Sequence, residues 1–245
     1  MKIGIIGFGN FGKLMAKHLK SKAEIFVTDI EDKTKEANKI GISFTSLDEV
    51  LKNKIIILAV PMEDLEPTLN KIKDNLQPNS LVLDVCSLKI FSTRLMKNIL
   101  PKNIEIVGTH PLFGPQSIKD SIKGMRIVLT NVSAKKENFD NVTKFCQSLD
   151  LQTIISTPEE HDKQMAVSQA LTHFIGQVSK KINLSRVEMS TKTFDDLMNV
   201  VDIIKNDTPK LFNNIQTMNP FAEEIREKFV QATNDLNEEI KKLKS

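Results

Sequence analysis

The sequence predicts a doubly wound α/β domain over residues 1–156, followed by a smaller all-helical domain over residues 157–245. Three observations predict this. Short apolar, β-branched runs alternate with helical stretches as far as Ile155, the pattern of βαβ units. A turn with three spaced glycines follows the first of those runs. Beyond Pro158 the pattern is helical and almost free of glycine.

The elements follow in order. Ile3–Ile6 is a strand candidate that leads into Gly7-Phe8-Gly9-Asn10-Phe11-Gly12 and then into the helical pattern Leu14, Met15, His18, Leu19. A strand, a tight turn and a helix start are what a dinucleotide site needs. Gly7 allows the turn, Gly9 lets a pyrophosphate approach the backbone, and Gly12 lets the helix pack on the strand. The helix N-terminus, with Asn10 and Phe11 in its first turn, offers free N–H groups and a partial positive charge. A second run, Glu24–Thr28, ends at Asp29, about 20 positions after the glycines, where a ribose 2′-hydroxyl is bound. A carboxylate there accepts from that hydroxyl and repels a 2′-phosphate, which favours NAD. Lys33 and Lys35 lie close by and keep NADP open. Asp29 also suits a plain turn or N-cap, and other nucleotide folds, such as methyltransferases, share these features.

Further strands are predicted at Ile55–Ala59, Leu81–Val85, Ile104–Val107 and Arg126–Leu129, with helices at Met62–Asn75 and Ala134–Leu149. Their apolar runs suit parallel strands covered on both faces, a Rossmann-type sheet with ligands beyond the carboxyl ends of the strands. Val60 and Pro61, at such an end, are candidate cofactor contacts. A short strand, Leu151–Ile155, precedes Ser156-Thr157-Pro158-Glu159-Glu160, which reads as a Thr cap, a Pro at the first helical position and acids in the first turn. Helices are predicted near 158–183, 187–205, 207–217 and 220–243, with Asn219-Pro220 as the clearest break.

Bulk properties exclude several classes. The 245 residues carry a net charge of +3 spread over many Lys and Glu, so neither nucleic acid nor an acidic membrane is implied as a partner. No apolar run approaches the ~18 residues of a membrane span. Met1-Lys2 leads directly into a strand pattern with no signal peptide, and Cys86 and Cys146 lack metal or redox spacing. A cytoplasmic protein with reduced thiols and no metal is expected. The last helix carries an apolar stripe of Ile225, Phe229, Ala232, Leu236 and Ile240 on a charged surface. A helical domain this small rarely encloses a whole core, so a homodimer through this domain is expected; packing on the same chain is the alternative.

Four histidines can be weighed one by one. His18 sits among lysines and reads as a surface residue. His110, in Gly108-Thr109-His110-Pro111-Leu112-Phe113-Gly114-Pro115, follows a strand directly and is held by two prolines and two glycines. With a pKa near neutrality it is a candidate for proton transfer, or else it only hydrogen-bonds its loop. Ser87, after the strand Leu81–Val85, is a second candidate at a strand end, and also a possible N-cap for the helix beginning near Lys89. His161 and His173 are 12 residues apart and share a helix side with Gln169, a polar stripe suited to lining a cleft. Rings ~18 Å apart cannot share one metal ion.

These residues resemble the prephenate and arogenate dehydrogenases of tyrosine biosynthesis. The resemblance spans the chain and rests on IGIIGFGNFG at the start, DVCSLK at 84–89, GTHPLFGPQS at 108–117 and EEHDKQMAVSQALTHF at 159–174; residues 190–197 look most like the plant-type arogenate enzymes. It implies a nucleotide domain and a helical dimerisation domain with the active site between them. His110 would be the catalytic histidine that hydrogen-bonds the ring 4-hydroxyl, and Ser87 would orient that hydroxyl or the histidine. His161, Gln169, His173, Lys192 and Asp195 are the candidate substrate contacts. The chain departs from the family pattern in two places. The Ser-His-Leu-Pro-His form reads Gln169-Ala170-Leu171-Thr172-His173 here, so only His173 carries over. The arginine that grips a side-chain carboxylate aligns with Asp195, which would repel prephenate's pyruvyl carboxylate and suit arogenate's ammonium, although Lys192 is one turn away. Arogenate, oxidised to tyrosine, is therefore the expected preference, with prephenate, oxidised to 4-hydroxyphenylpyruvate, left open by Lys192. The competing readings are a prephenate-specific enzyme, an imine or pyrroline-carboxylate reductase, a β-hydroxyacid dehydrogenase, and a nucleotide-binding regulator without turnover.

Overall fold

The computed structural model describes residues 1–118, 121–205 and 207–243. The chain divides into two compact units, Met1–Pro158 and Glu159–Ser245. No helix among the described residues is long and apolar enough to cross a membrane.

The first unit is built on one eight-stranded sheet in the order β3-β2-β1-β4-β5-β6-β7-β8. Its strands are β1 (Lys2–Ile6), β2 (Glu24–Thr28), β3 (Ser43–Phe44), β4 (Ile55–Leu58), β5 (Leu81–Asp84), β6 (Glu105–Pro111), β7 (Arg126–Asn131) and β8 (Gln152–Ile155). The helices are α1 (Asn10–Leu19), α2 (Thr34–Lys39), α3 (Leu47–Leu51), α4 (Met62–Ile72), α5 (Lys89–Ile99) and α6 (Lys136–Ser148). The chain winds outward from β1 to β3, then returns to β4 beside β1. The strand order therefore reverses between β1 and β4, and open α/β sheets bind ligands at such a point.

The expectation of a wholly parallel sheet needs correction at its far edge. β7 runs antiparallel to β6, and β8 pairs parallel to β7, so the last two strands point against the rest. Apolar runs specify burial and not direction, so sequence patterning could not show this reversal.

The core has a simple origin. Ile3 and Ile5 of β1, Ile25 and Val27 of β2, and Ile57 and Leu83 of β4 and β5 are all buried in one continuous cluster. A Cβ on Gly4 would stand 2.8 Å from Val50, so the missing side chain lets α3 lie close against β1. On the opposite face, α1 and α6 stand apart and leave an apolar groove of about 530 Å³ over Ile3, Ile57 and Leu83.

The second unit comprises α7 (Pro158–Met165), a π-helical segment Ala166–Leu171, α8 (Thr172–Lys181), α9 (Lys192–Ile204), α10 (Pro209–Thr217) and α11 (Ala222–Lys242). Thr191 caps α9 and Thr208 caps α10 through their hydroxyls. Gln216 ties α10 to the π-helical carbonyl of Ala170 at 2.7 Å. Gly176 brings α8 up to α9, because a Cβ there would stand 2.6 Å from Ile204 Cδ1.

Candidate active site

The glycine turn is built as its spacing requires. Gly7 adopts φ +100°, where an L side chain is strained, and a Cβ there would stand 2.4 Å from the Ala59 carbonyl oxygen. A Cβ on Gly12 would stand 2.2 Å from the Gly7 carbonyl oxygen, so Gly12 closes the helix onto the turn. Gly9 has nothing within 4 Å of where a Cβ would be, and it serves as the N-cap of α1 with no side-chain cap. An open cradle beside uncapped N–H groups fits a phosphate. Asn10 is exposed there and Phe11 half-buried. Val60 and Pro61 lie between β4 and α4, at the strand beside β1.

Asp29 lies at the end of β2, and its carboxylate accepts hydrogen bonds from the backbone N–H of Phe8 at 2.6 Å and of Glu31 at 3.2 Å. It thereby binds the glycine turn to the neighbouring strand. Lys33 is paired with Glu31.

His110 sits in β6 itself, not on a loop beyond it, and pairs across to Val128 of β7. It is buried, at 6% exposure. Gly108 and Pro111 read as loop punctuation, yet both lie in the strand, because antiparallel pairing with β7 extends β6 through them. Ser87 lies in the short link between β5 and α5. Leu88 takes the N-cap position of α5, which has no side-chain cap, so Ser87 is not that helix's cap. Ser87 and His110 therefore stand at the carboxyl ends of two hydrogen-bonded neighbouring strands. Cys86, just before Ser87, is buried, and burial pushes its thiol well above the ordinary value.

In the second unit the predicted polar stripe is divided. His161 is wholly buried, with Nδ1 2.7 Å from Asp162 Oδ1, while Asp162 accepts Asn219 through its carbonyl at 2.8 Å. This set joins α7 to the link before α11, and His161 is not presented to a cleft. The π-helical segment explains why. Its wider turn breaks the 3.6-residue register that placed His161 and His173 on one side.

Gln169 and His173 do carry unusual features. Gln169 Oε1 and His173 Nδ1 are both buried without a hydrogen-bond partner. Asp207 Oδ2 lies 3.3 Å from His173 Nδ1, an ion-pair distance without hydrogen-bond geometry, and each side chain is 15% exposed. Burial lowers the His173 pKa, opposed by the Asp207 charge. Burial raises the Asp207 carboxyl, opposed by His173 and Lys180. Sequence reasoning missed Asp207 by taking it for the start of a helix. Thr208 is the true cap, and Asp207 is left to face α8.

Lys192 and Asp195 lie in the exposed first turn of α9. Lys192 pairs with Asp196, and Asp195 stands 4.0 Å from Arg186 Nη1. Arg186 also reaches Asp202 at 2.7 Å and Asn199 at 2.9 Å.

Residues 15–155 match the family model described as prephenate dehydrogenase, nucleotide-binding domain. The chain belongs to the prephenate dehydrogenase family. Among family relatives, the probable arogenate/prephenate dehydrogenase of Methanocaldococcus jannaschii is 28% identical over 98% of this chain and 57% of its own length. Chloroplastic arogenate dehydrogenase 1 of Arabidopsis thaliana is 31% identical over 98% of this chain and 39% of its own length. The chain thus spans about half the length of these relatives or less. The family fold is seen in prephenate dehydrogenase from A. aeolicus, solved with hydroxyphenyl propionate and NAD+, at a TM-score of 0.79 and 24% identity over 98% of this chain and 90% of that one. Residues 178–245 also match the TYRAAT1-like, C-terminal domain.

Proposed function

We propose that this chain oxidatively decarboxylates arogenate to tyrosine, with NAD as the preferred cofactor, as a cytoplasmic homodimer. Family membership and the nucleotide cradle support the reaction class. The observation that carries the substrate lies in the helical unit: the unpartnered Gln169 Oε1, and the Asp207 carboxylate beside His173 Nδ1.

Arogenate and prephenate share a ring hydroxyl and a ring carboxylate, and differ where one bears an ammonium and the other a ketone. An ammonium brings three N–H donors and a positive charge. A buried amide oxygen without a donor, Gln169 Oε1, and a carboxylate at 3.3 Å from His173, Asp207, are acceptors that suit that group. A pyruvyl ketone brings only acceptors and would leave both unsatisfied. Asp195, half exposed and beside Arg186, offers a weaker claim to the same role.

The cradle of Gly7, Gly9, Asn10, Phe11 and Gly12, with Asp29, Val60 and Pro61, would hold a nicotinamide dinucleotide. When bound, that group supplies the hydride acceptor. Asp29 supports NAD, because a 2′-phosphate would meet a carboxylate already anchored to the backbone. On the protein side, His110 accepts the ring hydroxyl proton as hydride leaves the carbon that bears the hydroxyl. Ser87 orients that hydroxyl or the imidazole. Loss of carbon dioxide from the ring carboxylate then leaves an aromatic phenolate, which takes the proton back from His110 to give the phenol.

The test is coenzyme reduction by purified protein with each of NAD and NADP, against each of arogenate and prephenate. Turnover of arogenate with NAD is expected to exceed the other three combinations. Turnover of prephenate alone would keep the reaction class and overturn the assigned substrate. No reduction with either substrate would overturn the dehydrogenase reading.

A further inference from the structure

Asp84 and Lys89 form an ion pair in which both side chains are wholly buried. Burying such a pair costs several kcal/mol of hydration per ion, and apolar replacements of similar volume are often as stable. Stability alone therefore does not account for its presence at this point, whereas its connections do. Asp84 ends β5, and its carboxylate accepts from Lys89 Nζ, from the backbone N–H of Cys86 at 3.1 Å and from the backbone N–H of Thr109 at 3.2 Å. Lys89 opens α5 and also donates to the Thr109 carbonyl at 2.7 Å. The Thr109 hydroxyl donates in turn to the Asp84 carbonyl. Thr109 is thus held at its amide, its carbonyl and its hydroxyl.

The positions of these groups give the network its meaning. Cys86 immediately precedes Ser87, and Thr109 immediately precedes His110. A single carboxylate holds the residue before each of the two groups assigned to the ring hydroxyl. Gly108 leaves room for this arrangement, since a Cβ there would stand 2.9 Å from Thr93 Cγ2 and 3.5 Å from Lys89 Cδ.

We propose that Asp84 and Lys89 are positioning residues that fix Ser87 and His110 relative to one another through Cys86 and Thr109. The proposal rests on the reading that His110 and Ser87 serve the oxidation. Neither charged group touches the substrate. They act by denying the two strand ends freedom to shift, and a displacement of about 1 Å is enough to cost on the order of 10²-fold in rate.

The test uses the double variant Asp84→Asn/Lys89→Met, because either single change strands a buried charge. The variant is expected to fold cooperatively and to bind NAD within about threefold of the parent. Its kcat on arogenate is expected to fall by about 10²-fold, while KM changes far less. Hydrogen exchange at the Cys86 and Thr109 amides should quicken, with the amides of β1 and β4 unchanged. A folded double variant with kcat within about twofold of the parent would overturn the proposal. If the double variant does not fold, Thr109→Val decides. It removes only the hydroxyl tie and should lower kcat by about 3- to 10-fold with cofactor binding unchanged; an unaltered kcat would overturn the proposal. His110→Gln serves as the control. If that variant keeps full activity, the assignment of His110 fails, independently of what Asp84 and Lys89 do.

Discussion

At the scale of single residues, the role proposed for Asp207 rests on its charge and its burial. Its carboxyl lies above the usual carboxylate range because burial outweighs the attraction of His173 and Lys180. The anion is needed to hold an ammonium, so the sign is clear. As pH falls through that raised value, Asp207 takes up a proton, the attraction disappears and KM for arogenate rises, at a higher pH than an ordinary carboxylate would give. Burial shifts His173 the other way, disfavouring its charged form, against the pull of the Asp207 charge. Asp207→Asn is expected to abolish this acid limb, to weaken arogenate by about tenfold or more in kcat/KM, and to narrow or invert the preference over prephenate. Asp195→Asn, at an exposed position, should move the preference by less than about threefold. Steady-state kinetics of both variants on both substrates, from acid to neutral pH, check this. Equal effects of the two substitutions would remove Asp207 from the site. None of this could be read along the chain. Asp207 meets His173 across a gap of 34 positions, and locally it has the look of a turn residue before Pro209. The placement of His110 and Ser87, by contrast, was legible, because a residue that follows an apolar run keeps its place at the strand end wherever that strand pairs.

At the scale of elements, the three glycines of the first turn separate into two kinds. Gly12 meets backbone: an added Cβ would stand 2.2 Å from the Gly7 carbonyl oxygen, and backbone cannot swing aside. Gly12→Ala is expected to destabilise the domain by about 1–3 kcal/mol or more. At Gly9 the same methyl group meets nothing, so Gly9→Ala should leave stability within about 0.5 kcal/mol while weakening the dinucleotide. Denaturant unfolding paired with cofactor titration separates the two effects. A Gly9→Ala protein that binds NAD as the parent does would show that the phosphates lie elsewhere. The motif was legible because its three glycines lie within six residues of chain, although Gly7 is also pressed from afar by the Ala59 carbonyl. Two other element-scale features were not. The reversal of β7 and β8 leaves no trace in hydrophobic pattern, and the π-helical segment at Ala166–Leu171 displaces a helix face without altering the periodicity of its apolar residues.

At the scale of the whole molecule, the last helix is incomplete on its own. In α11, Ile225 and Phe229 are half-buried, with the Phe229 ring edge-on to Phe174 at 6.3 Å. From Val230 to Leu243 every residue is exposed, yet the apolar stripe continues through Leu236 at 57%, Ile240 at 46% and Leu243 at 87%. The first half of the stripe thus packs within the chain, and the second half is left without a partner among the described residues. Large apolar side chains repeated at helical spacing on an otherwise charged helix are costly to leave in water, at roughly 1.5–3 kcal/mol for each one fully covered. A second copy offering the same surface would cover them in a two-fold arrangement, the commonest symmetry for such contacts. Light scattering is expected to give twice the 27.6 kDa chain mass, and Leu236→Glu/Ile240→Glu is expected to give the single chain mass. Because these positions lie outside the first unit, the variant should retain the nucleotide domain's cooperative unfolding and its affinity for NAD. A parent protein with the mass of one chain would show instead that the exposed half of α11 is covered by something other than its own kind.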